Sequence, residues 1–184
     1  VSPDGFDRVI RLADRNNVVL VPFDNVLDTD KVMQVNEDQL TMGRMWAEFA
    51  LEELKAKGVT SGKILEVRGL PGNSVDRDRS IGINEVFEAD GGDWEMVSVV
   101  GNWDDGTTQK VVADAIAVHG QFDAVVGQGG SNGEGQALKD AGLGRLNISL
   151  DGLSEETFRK ISRRAGLDRV LDGIFAAQRA TQSY

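Results

Sequence analysis

Residues 63–88 read KILEVRGLPGNSVDRDRSIGINEVFE, and this stretch decides the fold. Its first part, Lys63 to Arg68, is a short apolar run that predicts a buried strand. The residues beyond the following loop predict a helix over Asp78–Glu88. A strand that leads through a short loop into a helix is typical of a crossover unit, in which consecutive strands lie parallel.

The same alternation continues along the chain in both directions. Gly58 stands where it would cap a long helix. The pattern predicts an α/β fold, an open, doubly wound and mostly parallel sheet of about five strands. Further strands are predicted at Val18–Phe23, Trp94–Gly101, Phe122–Gly127 and Arg145–Leu150, and helices at Asp4–Asn16, Glu37–Lys57, Thr107–His119, Glu134–Asp140, Glu155–Ser162 and Leu167–Ala180.

Composition excludes several classes of function. The formal net charge of −10 argues against nucleic acid as a partner, because an acidic surface repels phosphates. Cysteine is absent and His119 is the only histidine, which excludes disulfides and argues against zinc sites and His-dependent triads. No apolar run is long enough to span a bilayer. The chain begins at Val1 without a signal peptide, which we interpret as a removed leader or a missing start.

Polar and aromatic residues follow the predicted strands. In such sheets a ligand lies outside the carboxyl ends of the strands, so these residues are the candidate ligand-binding set. Carboxylates, amides, a guanidinium and an indole can hydrogen-bond to sugar hydroxyls and stack on a sugar ring. Plainer roles stay open: an exposed helix start for Arg77, a sheet cover for Trp103 and an N-cap for Asp151. The set is Asp24, Asn25, Arg77, Trp103, Gln128 and Asp151.

Five segments within residues 1–143 carry a family resemblance: VVLVPFDN (18–25), VMQVNEDQLTMGRMWAEFALEEL (32–54), ILEVRGLPGNSVDRDRSIGINEVF (64–87), VVGNWDDGTTQKVVADAI (99–116) and FDAVVGQGGSNGEGQALKDAG (122–142). They resemble type I periplasmic sugar-binding proteins of ABC importers, the ribose-binding-protein-like family. The resemblance implies a periplasmic-binding-protein-like lobe, a small sugar ligand, an ABC permease as partner and a periplasmic location. It puts Asp24, Arg77 and Trp103 at ligand-contact positions. Gln128 would substitute for the Asn-Asp found there in many members.

The end of the chain resembles a different family. KDAGLGRLNISLDGLSEETFRKISRRAGLDRVLDGIFAAQRA (139–180) is similar to the radical-SAM cyclic pyranopterin phosphate synthase of molybdenum cofactor biosynthesis, a likeness that starts near residue 137. That family's cluster-binding cysteines are absent, so no radical chemistry is expected. We interpret the chain as a chimera that forms one α/β domain over residues 1–184. Residues 1–143 are its sugar-binding-protein-like part, and 144–184 a foreign βαα segment that completes the sheet and contributes Asp151.

Other functions were weighed against sugar binding. GQGGSNGEG (127–135) has phosphate-loop spacing but lacks the Gly-Lys-Ser/Thr ending. Asp104 and Asp105 form a carboxylate pair that is more typical of a solvated turn than of catalysis, so we predict no enzyme, cofactor or metal site. A chimeric scaffold without a ligand is the main alternative to partial sugar binding. A sheet cut short would also expose an edge through which two copies associate.

Overall fold

The computed structural model describes residues 3–142, in which helices and strands alternate. By its contacts the chain divides into two compact units, Val1–Ala137 and Leu138–Tyr184, and all three strands belong to the first. No helix within residues 3–142 combines the length and apolar character needed to cross a membrane. The elements are a 3-10 helix at Pro3–Phe6, α1 at Asp7–Arg15, α2 at Gln39–Ala56, β1 at Ser61–Arg68, α3 at Ser74–Asp90, β2 at Asp93–Val100, α4 at Asp105–His119, β3 at Ala124–Gly127 and α5 at Ser131–Asp140.

β1 is the central strand of a three-stranded parallel sheet with the order β2-β1-β3. Leu65 lies opposite Val97 of β2 and Val125 of β3, so the three strands end at one edge. The predicted α/β class and parallel sheet are confirmed. The sheet of the described residues has three strands rather than about five, and the predicted strand at 145–150 lies outside them. β2 and β3 are the outer strands of the described sheet, so the predicted self-association through a sheet edge would involve one of them.

The predicted strand at Val18–Phe23 is wrong. Within residues 3–142 this segment pairs only with residues 33–35, and its single bridge joins Phe23 to Val35. Val19 is 75% exposed and Phe23 69% exposed. A buried strand needs neighbouring strands to bond its backbone, and no sheet strand of the described residues lies beside this one. The apolar run alone therefore does not make it a strand.

Side-chain caps decide where the helices begin. Asp38 accepts a hydrogen bond from the backbone N of Thr41 at 2.9 Å, and α2 starts at the next residue. The Asn73 side chain accepts from the backbone N of Val75 at 2.8 Å, so α3 begins one turn before the predicted Asp78. Gly58, with φ +76, follows the end of α2 as predicted.

Two glycines bring α2 and α3 into backbone contact. A Cβ on Gly43 would come 2.2 Å from the carbonyl oxygen of Arg79, and one on Gly82 would come 2.2 Å from that of Leu40. The close crossing puts the first turns of α3 beside the first turns of α2. Below it, the apolar core of the unit packs between these helices and the sheet, with Ala47, Ala50, Leu54, Ile64, Ile83, Phe87 and Val126 buried.

Candidate functional site

The loops at the carboxyl edge of the sheet hold strained backbone. Asp24, Asn102 and Trp103 have φ values of 68°, 56° and 56°. Residues other than glycine rarely adopt this left-handed backbone region, and each residue held there costs roughly 1–3 kcal/mol of folding free energy. Strain of this kind clusters at binding and catalytic sites, which favours this edge as the functional one. Two of the three residues belong to the predicted ligand-binding set.

Trp103 lies between the ends of β1 and β3. A Cβ on Gly69 would come 2.1 Å from the indole Cε2, and a Cβ on Gly129 would come 2.8 Å from Cδ1. Only glycine fits at both positions while the ring is there. The indole Nε1 is buried and has no hydrogen-bond partner. Trp103 therefore covers the edge of the sheet and also presents an unused donor.

Gln128 is buried directly after β3, with 5% of its surface exposed. Its Nε2 donates to the carbonyl oxygen of Asp76 at 3.2 Å and to Glu66 Oε1 at a longer 3.5 Å. Its Oε1 is buried without a partner. The NH₂ end of the Gln128 amide is therefore hydrogen-bonded, whereas its carbonyl end has no partner.

Beneath Gln128 lies a carboxylate that the sequence analysis missed. Glu66 is completely buried on β1, where Ser98 Oγ donates to Oε2 at 2.7 Å and Asn84 Nδ2 at 3.4 Å. A glutamate in the middle of the apolar run KILEVR was the available signal, because a buried charge needs dedicated partners.

Two arginines two positions apart on α3 have different surroundings. Arg77 is exposed and its Nε donates to Asp78 at 2.7 Å, and this hydrogen bond raises the pKa of Arg77. Arg77 therefore fits the plainer role that the sequence left open, an exposed residue at the start of a helix. Arg79 instead reaches the carboxyl edge, where Nη1 donates to the backbone O of Gln128 at 3.4 Å. The structure does not bring Arg77 to the candidate site and brings Arg79 there instead.

Arg79 is fixed by groups on α2 and by acidic neighbours. Its Nε donates to Gln39 Oε1 at 2.7 Å, and its guanidinium carbon lies 5.1 Å from the centre of the Trp46 ring. Burial lowers the pKa of Arg79, while Asp24, Glu37 and Asp76 oppose that shift. Asp24 is thus one of three acidic groups whose charges act on Arg79.

The segment with Asp24 and Asn25 is tied to the start of α3. The backbone N of Val26 donates to Ser74 Oγ at 3.1 Å. Asn25 Oδ1 is buried and lacks a partner. The sixth predicted site residue, Asp151, lies outside the described residues.

An ion pair fixes the loop between β1 and α3. Arg68 contacts buried Asp76 through two hydrogen bonds, Nη2 to Oδ2 at 2.6 Å and Nε to Oδ1 at 3.2 Å. The same Oδ1 accepts from the backbone N of Gly69 at 2.9 Å. The hydrogen bond to Asp76 raises the pKa of Arg68. This pair orders the loop that carries Gly69 against Trp103.

Glu134 is a further buried carboxyl near this edge. It lies over Gly127, whose Cβ would come 1.9 Å from Oε1, and that oxygen has no hydrogen-bond partner. Burial, and then the charge of Asp105, raise the pKa of Glu134 to about 7. An acidic side chain in the first turn of α5 disfavours an anion there, which argues against the phosphate-loop alternative.

The carboxylate pair has a structural role. Asp104 caps α4 by accepting from Thr107 N and Oγ1, both at 2.7 Å, and these bonds lower its pKa. Asp105 accepts from Asn132 Nδ2 at 3.0 Å. Among residues 3–142, no three or more His, Asp or Glu side chains are arranged to hold a metal ion.

Comparison with known proteins identifies the family. Residues 1–159 match the periplasmic binding protein domain. The chain belongs to the periplasmic binding protein family. Its match extends past the boundary near residue 143 expected from the sequence.

Solved structures share the fold of this family member. A fructose-binding periplasmic domain of a hybrid two-component system is 21% identical, with a TM-score of 0.74 over 92% of this chain and 54% of that one. The periplasmic binding component of the arabinose ABC transporter from Shewanella sp. ANA-3, bound to L-arabinofuranose, is 23% identical, with a TM-score of 0.67 over 75% of this chain and 47% of that one. The chain therefore spans about half the length of these structures.

A short segment of the chain is similar to a different class of protein, an enzyme. The GTP 3',8-cyclase of Rhodopirellula baltica is 68% identical over 40 residues, which are 22% of this chain and 11% of that enzyme. The chain thus joins a periplasmic binding protein sequence to a fragment similar to a cyclase, as the two resemblances predicted. The match covers about a tenth of the enzyme.

Proposed function

We propose that the chain binds a small sugar at the carboxyl edge of its sheet. One observation carries the proposal: three buried polar atoms without partners belong to residues of the predicted ligand-binding set. They are Asn25 Oδ1, Trp103 Nε1 and Gln128 Oε1. Buried polar groups are almost always paired, so these exceptions indicate groups that a ligand would satisfy. Glu134 Oε1, near the same edge, is a fourth unpaired atom and lies outside the predicted set.

The three atoms form a set that suits hydroxyl groups. Asn25 and Gln128 offer acceptors, whereas Trp103 offers a donor, and a sugar hydroxyl can both donate and accept. Arg79 adds N–H donors beside them: its Nε and Nη1 donate to Gln39 and to the backbone O of Gln128, and the remaining N–H groups of the guanidinium are left for a ligand. The indole of Trp103 supplies an apolar face for the C–H surface of a sugar ring. A neutral polyol would therefore use every group of the set.

The relatives support the same ligand class and a role in transport. The two solved structures are described as a fructose-binding domain and as a transporter component with bound arabinofuranose. We infer that this chain derives from the solute-binding component of an ABC importer, with a permease as partner and the periplasm as location. The cap formed by Asp104 fits a binding role without catalysis.

The affinity is expected to be low. Periplasmic binding proteins close two lobes on a ligand, so each lobe supplies part of the binding energy. The chain covers 54% and 47% of the two related structures, so many of the family's contacts would be missing. We expect dissociation constants above about 1 mM, a binding free energy weaker than about −4 kcal/mol.

Ligand-observed and ¹⁵N-detected NMR titrations with D-fructose and L-arabinose test the proposal. Wild-type protein should show saturable shifts at the residues after β1, β2 and β3, and Trp103→Ala should abolish them. Arg77→Ala is the matched control, because this arginine is exposed and should leave the titration unchanged. Micromolar affinity would contradict the predicted loss of binding energy. No shifts with either sugar, in a cooperatively folded protein, would favour the ligand-free chimeric scaffold.

A further inference from the structure

Glu66 is surrounded by side-chain donors. Ser98 Oγ and Asn84 Nδ2 donate to its Oε2, at 2.7 and 3.4 Å, and Gln128 Nε2 approaches its Oε1 at 3.5 Å. Both carboxylate oxygens therefore serve as acceptors. No Lys or Arg side chain of the described residues forms an ion pair with Glu66, so these neutral donors are its direct partners.

This arrangement decides which way the Gln128 amide faces. The side chain of glutamine has a donor end and an acceptor end that differ little in shape. Here one end faces two acceptors, Glu66 Oε1 and the carbonyl oxygen of Asp76. Only the NH₂ group can donate to both, and the reversed amide would place an oxygen against two oxygens. The carbonyl end, Oε1, is left buried and unpaired.

We infer that Glu66 is a positioning residue of the candidate site: together with the carbonyl oxygen of Asp76, it holds the NH₂ group of Gln128 so that the amide oxygen is offered to the ligand. Glu66 itself touches no ligand. The site then selects a ligand group that donates, such as a hydroxyl, over one that only accepts at that position. The inference rests on the proposed function. It adds that Gln128 accepts a hydrogen bond from the ligand and that Glu66 is the residue that orients Gln128 for this contact.

Exchanging the carboxylate and the amide between positions 66 and 128 tests the inference. In Glu66→Gln the new amide oxygen still accepts from Ser98 and Asn84, so the new NH₂ group faces the NH₂ group of Gln128. Gln128 then loses one of its two acceptors and keeps only the carbonyl oxygen of Asp76. In Gln128→Glu two carboxylates face each other. In the double variant the new amide at position 66 can donate to the new carboxylate at position 128, while the carbonyl oxygen of Asp76 has lost its donor in both variants that carry Gln128→Glu. Ser98 and Asn84 can still donate to the amide oxygen at position 66 in this variant.

The expected result is non-additive. Each single variant should weaken sugar binding by roughly fivefold or more, as loss of one buried hydrogen bond does, and the double variant should recover part of the loss seen in Gln128→Glu. Glu95→Gln makes the same chemical change on exposed β2 and should leave binding unchanged. A double variant that binds no better than the weaker single variant would overturn the inference.

A second readout needs no sugar. The side-chain NH₂ protons of Gln128 should shift in ¹⁵N-edited spectra of Glu66→Gln and stay in place in Glu95→Gln. If they do not move in Glu66→Gln, Glu66 does not position this amide and the inference is overturned. If they move while wild-type protein binds no sugar, the positioning stands and the proposed function fails.

Discussion

The indole of Trp103 occupies the space that a side chain at position 129 would need. A Cβ on Gly129 would come 2.8 Å from the indole Cδ1, and the glycine has φ +152. One glycine of the run after β3 is thus explained by the ring that lies against it. The family resemblance leads us to expect an Asn-Asp pair here, with Gln128 as its substitute, and the structure gives the glycine that follows Gln128 a packing reason.

Gly129→Ala should destabilise the protein and weaken any sugar binding. The substitution combines a left-handed backbone position with a contact that forces the indole to move, so we expect a loss of roughly 1–3 kcal/mol in unfolding free energy. Urea denaturation measures it. Gly106→Ala is the control, because a Cβ there meets only Asp104 Oδ1 at 3.5 Å, an ordinary contact within α4. A Gly129→Ala protein within 0.5 kcal/mol of wild type would show that Trp103 does not need this space.

Part of the candidate site could be predicted because topology alone determines it. Trp103 and Gln128 follow strands of a parallel sheet, and the ends of parallel strands meet at one edge. The arginine was harder to assign, since two positions on a helix are about 200° apart. The sequence predicts a helix start at Asp78, but the cap from Asn73 starts α3 at Ser74. Which arginine faces the site depends on packing against α2, which a local pattern does not contain.

The errors in the predicted fold also come from contacts that a local sequence pattern does not contain. Whether Val18–Phe23 is a strand depends on a neighbour far along the chain, and apolar spacing gives no information about that neighbour. Glu66 was overlooked because a glutamate within an apolar run can lie at an exposed edge or be buried. Its burial follows from α3 and β2 covering it with Asn84 and Ser98.

Arg79→Ala should reduce sugar binding far more than Arg77→Ala. The first change removes the contacts with Gln39, with the backbone O of Gln128 and with the Trp46 ring. We expect a loss of at least about tenfold in affinity, in the range for a charged hydrogen bond. Parallel NMR titrations of the two variants measure it, with thermal unfolding as a check on folding. Equal effects of both substitutions would remove Arg79 from the site.

Gly43→Ala should push α2 and α3 apart. A Cβ there meets the carbonyl oxygen of Arg79 at 2.2 Å, a backbone atom that cannot turn away. Overpacking of this kind costs about 1–3 kcal/mol, and Gly82→Ala should cost a similar amount at the same crossing. The double variant should lose less than the summed costs, because helices separated by one methyl already make room for the other. Chemical denaturation of the three variants tests this, and strictly additive losses would indicate two independent contacts.

Glu134 should make the stability of the protein fall as the pH rises towards neutrality. Its pKa of about 7 in the folded state exceeds the ordinary value of 4.5, so between those values the folded state holds a proton that the unfolded state has released. The contribution of Glu134 to stability is therefore fullest below about pH 4.5 and declines until about pH 7, by about 3 kcal/mol in total at 1.36 kcal/mol per pKa unit. Glu134→Gln should abolish this part of the pH dependence and be more stable than wild type at pH 8. Exposed Glu88→Gln should keep the wild-type slope. Urea denaturation from pH 4.5 to 8 measures the three proteins, and parallel curves for wild type and Glu134→Gln would show that this carboxyl is charged in the folded state throughout.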